Sequence, residues 1–186
     1  MVRTETPVCD FGQSAIDFSL PGVDGKTWSL NDCAGEKGLL VMFICNHCPY
    51  VKSIIERIVR DARELKALGV NTVAIMSNDP TEYEEDSFEN MQAVAGQFDF
   101  SFPYLVDETQ EIAKKYGAVC TPDFFGYNAD LQLQYRGRLD ESRKEAVEGA
   151  RRDLFEAMKQ VAETGKGPME QVPSMGCSIK WKNAGE

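Results

Sequence analysis

The chain has 186 residues, 42% of them hydrophobic and 27% charged, and its 30 acidic against 20 basic side chains give a formal net charge of -10. That length and balance fit one soluble domain with a sizeable core and room for an appendage, and the acidity excludes nucleic acid and anionic membrane surfaces as partners. No stretch is long and apolar enough to span a bilayer, and Met1–Leu20 lacks the hydrophobic core of a signal peptide, so a cytoplasmic protein is expected.

Met1 to Gln13 reads as a loosely held arm. The expected organisation is an arm over 1–15, one domain over 16–168 and a tail over 169–186 docked on it. Asp17-Phe18-Ser19-Leu20 and Thr27-Trp28-Ser29-Leu30 flank a Gly/Pro-rich turn and predict a hairpin. The apolar run Leu39–Ile44 predicts a buried strand. After it, Val51, Ile54, Ile55, Ile58, Val59, Ala62, Leu65 and Leu68 follow helical spacing, so a helix is expected from Pro49 to Leu68, with Gly69 as its stop. Val70–Met76 is the next strand, and strand–helix–strand at this spacing implies a parallel pair. The acidic stretch Asp79–Asp86 reads as a solvated face leading to a helix over 88–97. Then come a strand at Tyr104–Val106, a helix over Thr109–Tyr116, and two strands, Asp123–Tyr127 and Leu131–Arg136, joined by a turn. Ser142 with Glu145 suggests a capping box for a last helix from about Arg143 to Thr164. Beyond it the tail carries Cys177 and Trp181.

The six cysteines stand at 9, 33, 45, 48, 120 and 177, too sparse for a secreted disulfide scaffold. Two of them form Cys45-Asn46-His47-Cys48-Pro49 at the strand-to-helix junction. There, free N–H groups and the helix dipole favour a thiolate on Cys45, and Cys48 is close enough to resolve a mixed disulfide. His47, the one histidine of the chain, lies between them as a candidate N–H donor to the thiolate, or as a surface residue without a role. A zinc site needs a second ligand pair that the sequence does not supply, so neither metal nor cofactor is expected. Thr121-Pro122 precedes a strand, as a trans proline at an edge or as a cis bond leaving a backbone edge free for a peptide or thiol substrate. Cys120 and Cys177 are candidate additional redox thiols; Cys120 is also the kind of small residue that is simply buried.

Over Ile16–Asp140 the chain resembles the thioredoxin-like superfamily, in particular the branch shared by the alkyl hydroperoxide reductase/thiol-specific antioxidant (redoxin) group and membrane-linked thiol reductases. The resemblance rests on Asp17-Phe18-Ser19-Leu20, Asp24-Gly25-Lys26, Cys45-Asn46-His47-Cys48-Pro49, Asp107-Glu108-Thr109, Thr121-Pro122 and Tyr135-Arg136-Gly137. It implies an α/β fold with a central mixed sheet flanked by helices, Cys45 as nucleophile, Cys48 as resolving thiol, and Pro122 as a cis-proline that with Thr121 borders the substrate. Ile44 stands where thioredoxins carry tryptophan, and the strand before the motif lacks their buried carboxylate; His47 resembles the strongly oxidising members instead. Against peroxiredoxins, Cys48-Pro49 matches, but Cys45 replaces their threonine and Val41 their proline, and Arg136 or Arg138 would have to offer the activating charge. The expected function is a thiol–disulfide oxidoreductase in redox homeostasis and antioxidant defence, acting on a protein or low-molecular-weight thiol, disulfide or peroxide as monomer or homodimer. A peroxiredoxin-like thiol peroxidase and a non-catalytic thioredoxin-fold binding protein are the alternatives.

Overall fold

In the computed structural model, which describes residues 3–182, the six residues Gly38–Phe43 are all buried. A strand apolar on both faces can only sit in the middle of a sheet covered on both sides, and every other element takes its place around it. In chain order these are β1 (Arg3–Glu5), β2 (Ser19–Pro21), β3 (Thr27–Ser29), α1 (Leu30–Cys33), β4 (Gly38–Phe43), α2 (Pro49–Lys52), α3 (Ile55–Ala67), β5 (Val70–Met76), a 3-10 turn at Glu84–Asp86, α4 (Phe88–Gln97), β6 (Tyr104–Val106), α5 (Glu111–Tyr116), β7 (Cys120–Thr121), β8 (Asp123–Asn128), β9 (Leu133–Tyr135), α6 (Asp153–Thr164) and β10 (Met175–Ser178).

The central sheet runs β6-β5-β4-β8-β9. β4, β5 and β6 are parallel, β8 pairs antiparallel with β4, and β9 pairs antiparallel with β8 at the edge. The alternation of side chains along β4 divides the core. Leu40 and Met42 face Ile55, Ile58, Ala62 and Leu65 of α3 and Leu154, Ala157 and Met158 of α6. Leu39, Val41 and Phe43 face Ile112, Ala113 and Tyr116 of α5 and the β2–β3 hairpin. No helix among the described residues is long and apolar enough to cross a membrane.

Three expectations change. The helix over 49–68 is broken at Ser53–Ile54: Ile54 N–H donates to Val51 O three residues back, and the Ser53 hydroxyl donates to Arg143 O at 2.5 Å. A side chain that satisfies a carbonyl elsewhere and a tightened turn end the first segment after one turn. The last helix begins at Asp153, not near Arg143. Residues 143–152 carry charges without an apolar stripe, so a helix there has no face to bury. Ser142 accepts instead from Val147 N–H and Arg57. Finally, the arm expected to be loose contains β1, which pairs with β10: Arg3 faces Cys177 and Glu5 faces Met175. β10 in turn pairs with β7, so the arm and the tail form a three-stranded sheet with β7.

Leu65 is fully buried between α3 and the sheet. Leu65→Ala is expected to lower the free energy of urea unfolding of the reduced protein by about 2–5 kcal/mol.

Candidate active site

The loop 44–48 leaves the end of β4 and enters α2 with Cys48 as its N-cap. Both motif thiols are buried, Cys45 at 2% and Cys48 at 0% exposure. They meet β7 from below: Cys45 Sγ lies 3.4 Å from the Thr121 hydroxyl, and Cys48 Sγ lies 3.2 Å from the Thr121 carbonyl oxygen. The Thr121–Pro122 peptide is cis.

The charge falls on Cys48. Its pKa drops to about 5, chiefly because Cys45 donates its S–H to it; burial opposes this, and the Thr121 hydroxyl, the Cys177 thiol and Val51 N–H add to the lowering. Cys45 moves well up: it is buried, it keeps the shared proton, and the carboxylate of Asp86 and the Cys48 thiolate both oppose a second negative charge there. The Thr121 carbonyl accepts from Cys48 only while that thiol is protonated. The expectation that a helix dipole would ionise Cys45 is therefore not met. A helix of one turn has little dipole, while burial, Cys48 and Asp86 raise the Cys45 pKa and nearby donors lower that of Cys48.

His47 hydrogen-bonds neither sulfur. Its Nδ1 lies 2.5 Å from Asp86 Oδ2 and its ring stacks on Tyr83 at 4.1 Å, while Nε2 is buried with no partner among the described residues. The role expected of it as donor to the thiolate is thus corrected to one of positioning the loop. Asp86, read from sequence as part of a solvated acidic face, is completely buried. It also accepts from Asn46 N–H (2.7 Å), His47 N–H (3.2 Å) and Asn78 Nδ2 (3.2 Å). Asn46 is pinned further by Glu85 O and Tyr104 OH, each at 2.8 Å. Asp86, Tyr83, Asn78 and Tyr104 are the site residues that sequence reasoning missed; the one usable signal was a tyrosine and a terminal aspartate in an otherwise exposed acidic run. Donor atoms of Cys45, His47 and Asp86 lie within 4.8 Å of one another. With its oxygens already engaged by four N–H groups of the loop and Asn78, Asp86 serves as a clamp rather than as a free metal ligand.

The edge beside Thr121-Pro122, expected to be free for a substrate, is occupied by the chain itself. β10 runs antiparallel along it, with Cys177 opposite Thr121 and Ser178 opposite Cys120, and Ser174 Oγ donates to Pro122 O at 2.8 Å. Gly176 is what permits the approach: a Cβ there would lie 2.0 Å from Thr121 O. Cys177 joins Cys45 and Cys48 in one core cluster, and burial, with Cys48 nearby, pushes its thiol up to about 12. Cys120 is fully buried with its thiol toward Pro122 O at 3.5 Å, and burial holds its pKa far above the ordinary thiol range. Arg136 is paired with Asp123 at 2.9 Å and Arg138 with Asp153 at 2.8 Å, so each guanidinium is committed to a carboxylate.

Two outcomes are expected. Asp86→Ala leaves buried N–H donors unpaired and should cost more than about 3 kcal/mol in urea unfolding, each orphaned donor contributing about 1–3 kcal/mol. In the reduced protein, ultraviolet thiolate absorbance should show one thiolate lost as pH falls through about 5. Cys48→Ser should abolish that transition; a first thiolate appearing only above pH 8 would contradict the assignment.

Comparison with known proteins follows the same lines. The chain is similar over its full length to an uncharacterised conserved protein from Geobacillus kaustophilus, with 44% identity, a TM-score of 0.92 and coverage of 99% of this chain and 98% of that one. A thiol:disulfide interchange protein of the thioredoxin family from Chlorobium tepidum TLS shares the fold at 21% identity and a TM-score of 0.62, over 81% of this chain and 97% of that one. Thiol-disulfide oxidoreductase ResA of Halalkalibacterium halodurans is 24% identical over 106 residues, 57% of this chain and 56% of that protein, so the chain spans little more than half the length of this curated relative. The sheet is that of the thioredoxin-like fold. The AhpC/TSA family model matches residues 11–142, which take in the motif, the Asp86 clamp and Thr121-Pro122, and the chain belongs to the AhpC/TSA family.

Proposed function

We propose that this chain is a thiol–disulfide oxidoreductase whose reactive group is the Cys45/Cys48 dithiol. The observation that carries the reading is the placement of the pair: both sulfurs sit at the end of β4 against Thr121, at 3.4 and 3.2 Å, beside the cis Thr121–Pro122 peptide, with the Cys48 pKa lowered and that of Cys45 raised. Cys48 attacks one sulfur of a disulfide, the far sulfur leaves as thiolate, and a mixed disulfide forms on Cys48. Cys45 then attacks Cys48 Sγ, releasing the second thiol and leaving Cys45–Cys48 oxidised. The order reverses the one the family resemblance implied. The substrate class is a low-molecular-weight disulfide or a cysteine pair of a protein, and the setting is cytoplasmic redox homeostasis and antioxidant defence.

The peroxidase alternative has Cys48-Pro49 in its favour. It has no support from Arg136 and Arg138, whose ion pairs leave Cys48 without an activating guanidinium from either.

The test is the first turnover with oxidised glutathione under rapid quench. Wild type should release two equivalents of thiol per chain. Cys45→Ser should still release the first equivalent at a comparable rate, and Cys48→Ser should be slower by more than tenfold. Loss of the first equivalent in Cys45→Ser, with retention in Cys48→Ser, would reverse the roles. No release above the rate of free cysteine in wild type would reject the activity.

A further inference from the structure

Cys48 has two thiol neighbours. One, Cys45, comes from its own motif; the other, Cys177, comes from the far end of the chain. Thr121 is the point on which all three converge. Its hydroxyl is 3.4 Å from Cys45 Sγ and its carbonyl oxygen 3.2 Å from Cys48 Sγ, and its ladder partner is Cys177. Cys177 is buried at 3% exposure in the same core cluster as Cys45 and Cys48, and Cys48 and Cys177 each shift the other's pKa.

This register is held on every side. Gly176 admits the Thr121 carbonyl where any side chain would collide. Ser174 is tied to Pro122 O through its hydroxyl, and its backbone exchanges hydrogen bonds with Thr6. Ile179 N–H donates to Val119 O and Lys180 N–H to Asn78 Oδ1, while Lys180 O accepts from Asp79 N–H and Gln110 Nε2. A tail anchored from Ser174 to Lys180 leaves the Cys177 sulfur little freedom to drift from Cys48. Cys120, though close by in sequence to Thr121, directs its thiol to Pro122 O instead.

We propose that Cys177 is a third redox thiol of the site, able to take the place of Cys45 in the disulfide to Cys48. The proposal rests on the reading of Cys45/Cys48 as a redox pair. In the oxidised chain Cys177 loses its proton and its thiolate attacks Cys48 Sγ. The Cys45–Cys48 bond breaks, the Cys48–Cys177 bond forms, and Cys45 leaves as a thiolate that takes up the proton. One disulfide is present before and after, so no oxidant is consumed. The exchange moves the oxidised bond from the motif to the tail, ties β10 covalently to the start of α2, and returns Cys45 to the thiol form. Because burial holds the Cys177 proton tightly, the exchange depends on proximity rather than on a standing thiolate.

The experiment uses Cys45→Ser with oxidised glutathione as the low-molecular-weight disulfide. Cys48 takes up glutathione and releases one equivalent; Cys177 then displaces the second, so that two protein thiols are oxidised and one oxidised glutathione is reduced to two thiols. After alkylation and digestion without reduction, the expected product is a peptide linked Cys48–Cys177, with two equivalents of glutathione released, and the link should persist in Cys45→Ser/Cys120→Ser. In Cys45→Ser/Cys177→Ser one equivalent should remain on Cys48. Glutathione retained on Cys48 in Cys45→Ser with Cys177 alkylated, or a Cys48–Cys120 link, overturns the proposal. The wild-type chain, oxidised to one disulfide and acid-quenched, provides a measure that needs no variant: a detectable share of Cys48–Cys177 isomer supports the proposal and its absence opposes it. If wild type forms Cys45–Cys48 but Cys177 never links, the proposal falls alone; if wild type forms no disulfide at Cys48, the oxidoreductase reading falls and takes the proposal with it.

Discussion

Four N–H groups converge on one buried carboxylate, that of Asp86: the backbone of Asn46 and His47, the His47 ring and the Asn78 amide. The geometry of the site follows from this. A five-residue loop between a strand and a short helix has no ladder of its own, and its backbone donors need partners once they are buried. Asp86 provides them from the segment that follows β5, where it ends the 3-10 turn Glu84–Asp86. Tyr83 in the same segment covers the His47 ring. With the loop fixed, Cys45 and Cys48 are held against Thr121 at distances where S–H and O–H donation is effective. The carboxylate also acts on the chemistry, because its charge raises the pKa of Cys45 and so helps to keep the proton there and the charge on Cys48.

The sequence made the sheet legible and much of the site illegible, for physical reasons that differ between elements. Val70–Met76 and Tyr104–Val106 were found at their observed bounds because β-branched and aromatic residues there have a single use, a buried strand. The thiol pair and Thr121-Pro122 were legible because their chemistry is local to a few residues. Asp86 was not: burial of a carboxylate in an acidic run is decided by donors about 40 positions away in the chain, which composition does not show. The pairing of Arg3–Glu5 with Met175–Ser178 is less local still: a short strand of charged and polar residues lacks the apolar signature that marks Tyr104–Val106, and its partner lies at the far end of the chain. The segment 143–152 failed in the opposite direction: it has good helix formers and a cap, but no apolar stripe to make a helix worth forming.

The tail changes what kind of site this is. A dithiol beside an open sheet edge is available to an extended polypeptide by strand addition. Here that edge already carries β10, and β1 covers β10 in turn. The motif sulfurs lie in the hydrophobic core cluster with Ile44, Tyr50 and Cys177. Exchange therefore requires either a substrate small enough to approach past the covering residues or a displacement of the tail. Displacing the tail means breaking the Ser174, Ile179 and Lys180 hydrogen bonds as well as the β7–β10 ladder.

The same contacts bear on the proposed exchange chemistry of the pair. In the reduced chain the proton shared by Cys45 and Cys48, the Thr121 hydroxyl and the Cys177 thiol all stabilise one thiolate. On forming Cys45–Cys48 the negative charge disappears, and those donors lose the acceptor they were arranged around. A couple whose reduced form is stabilised in this way is the more oxidising one. From sequence, such a bias was attributed to His47. In the structure the groups that lower the Cys48 pKa are thiol, hydroxyl and N–H donors, while His47, held by Asp86 and Tyr83, fixes the shape of the loop.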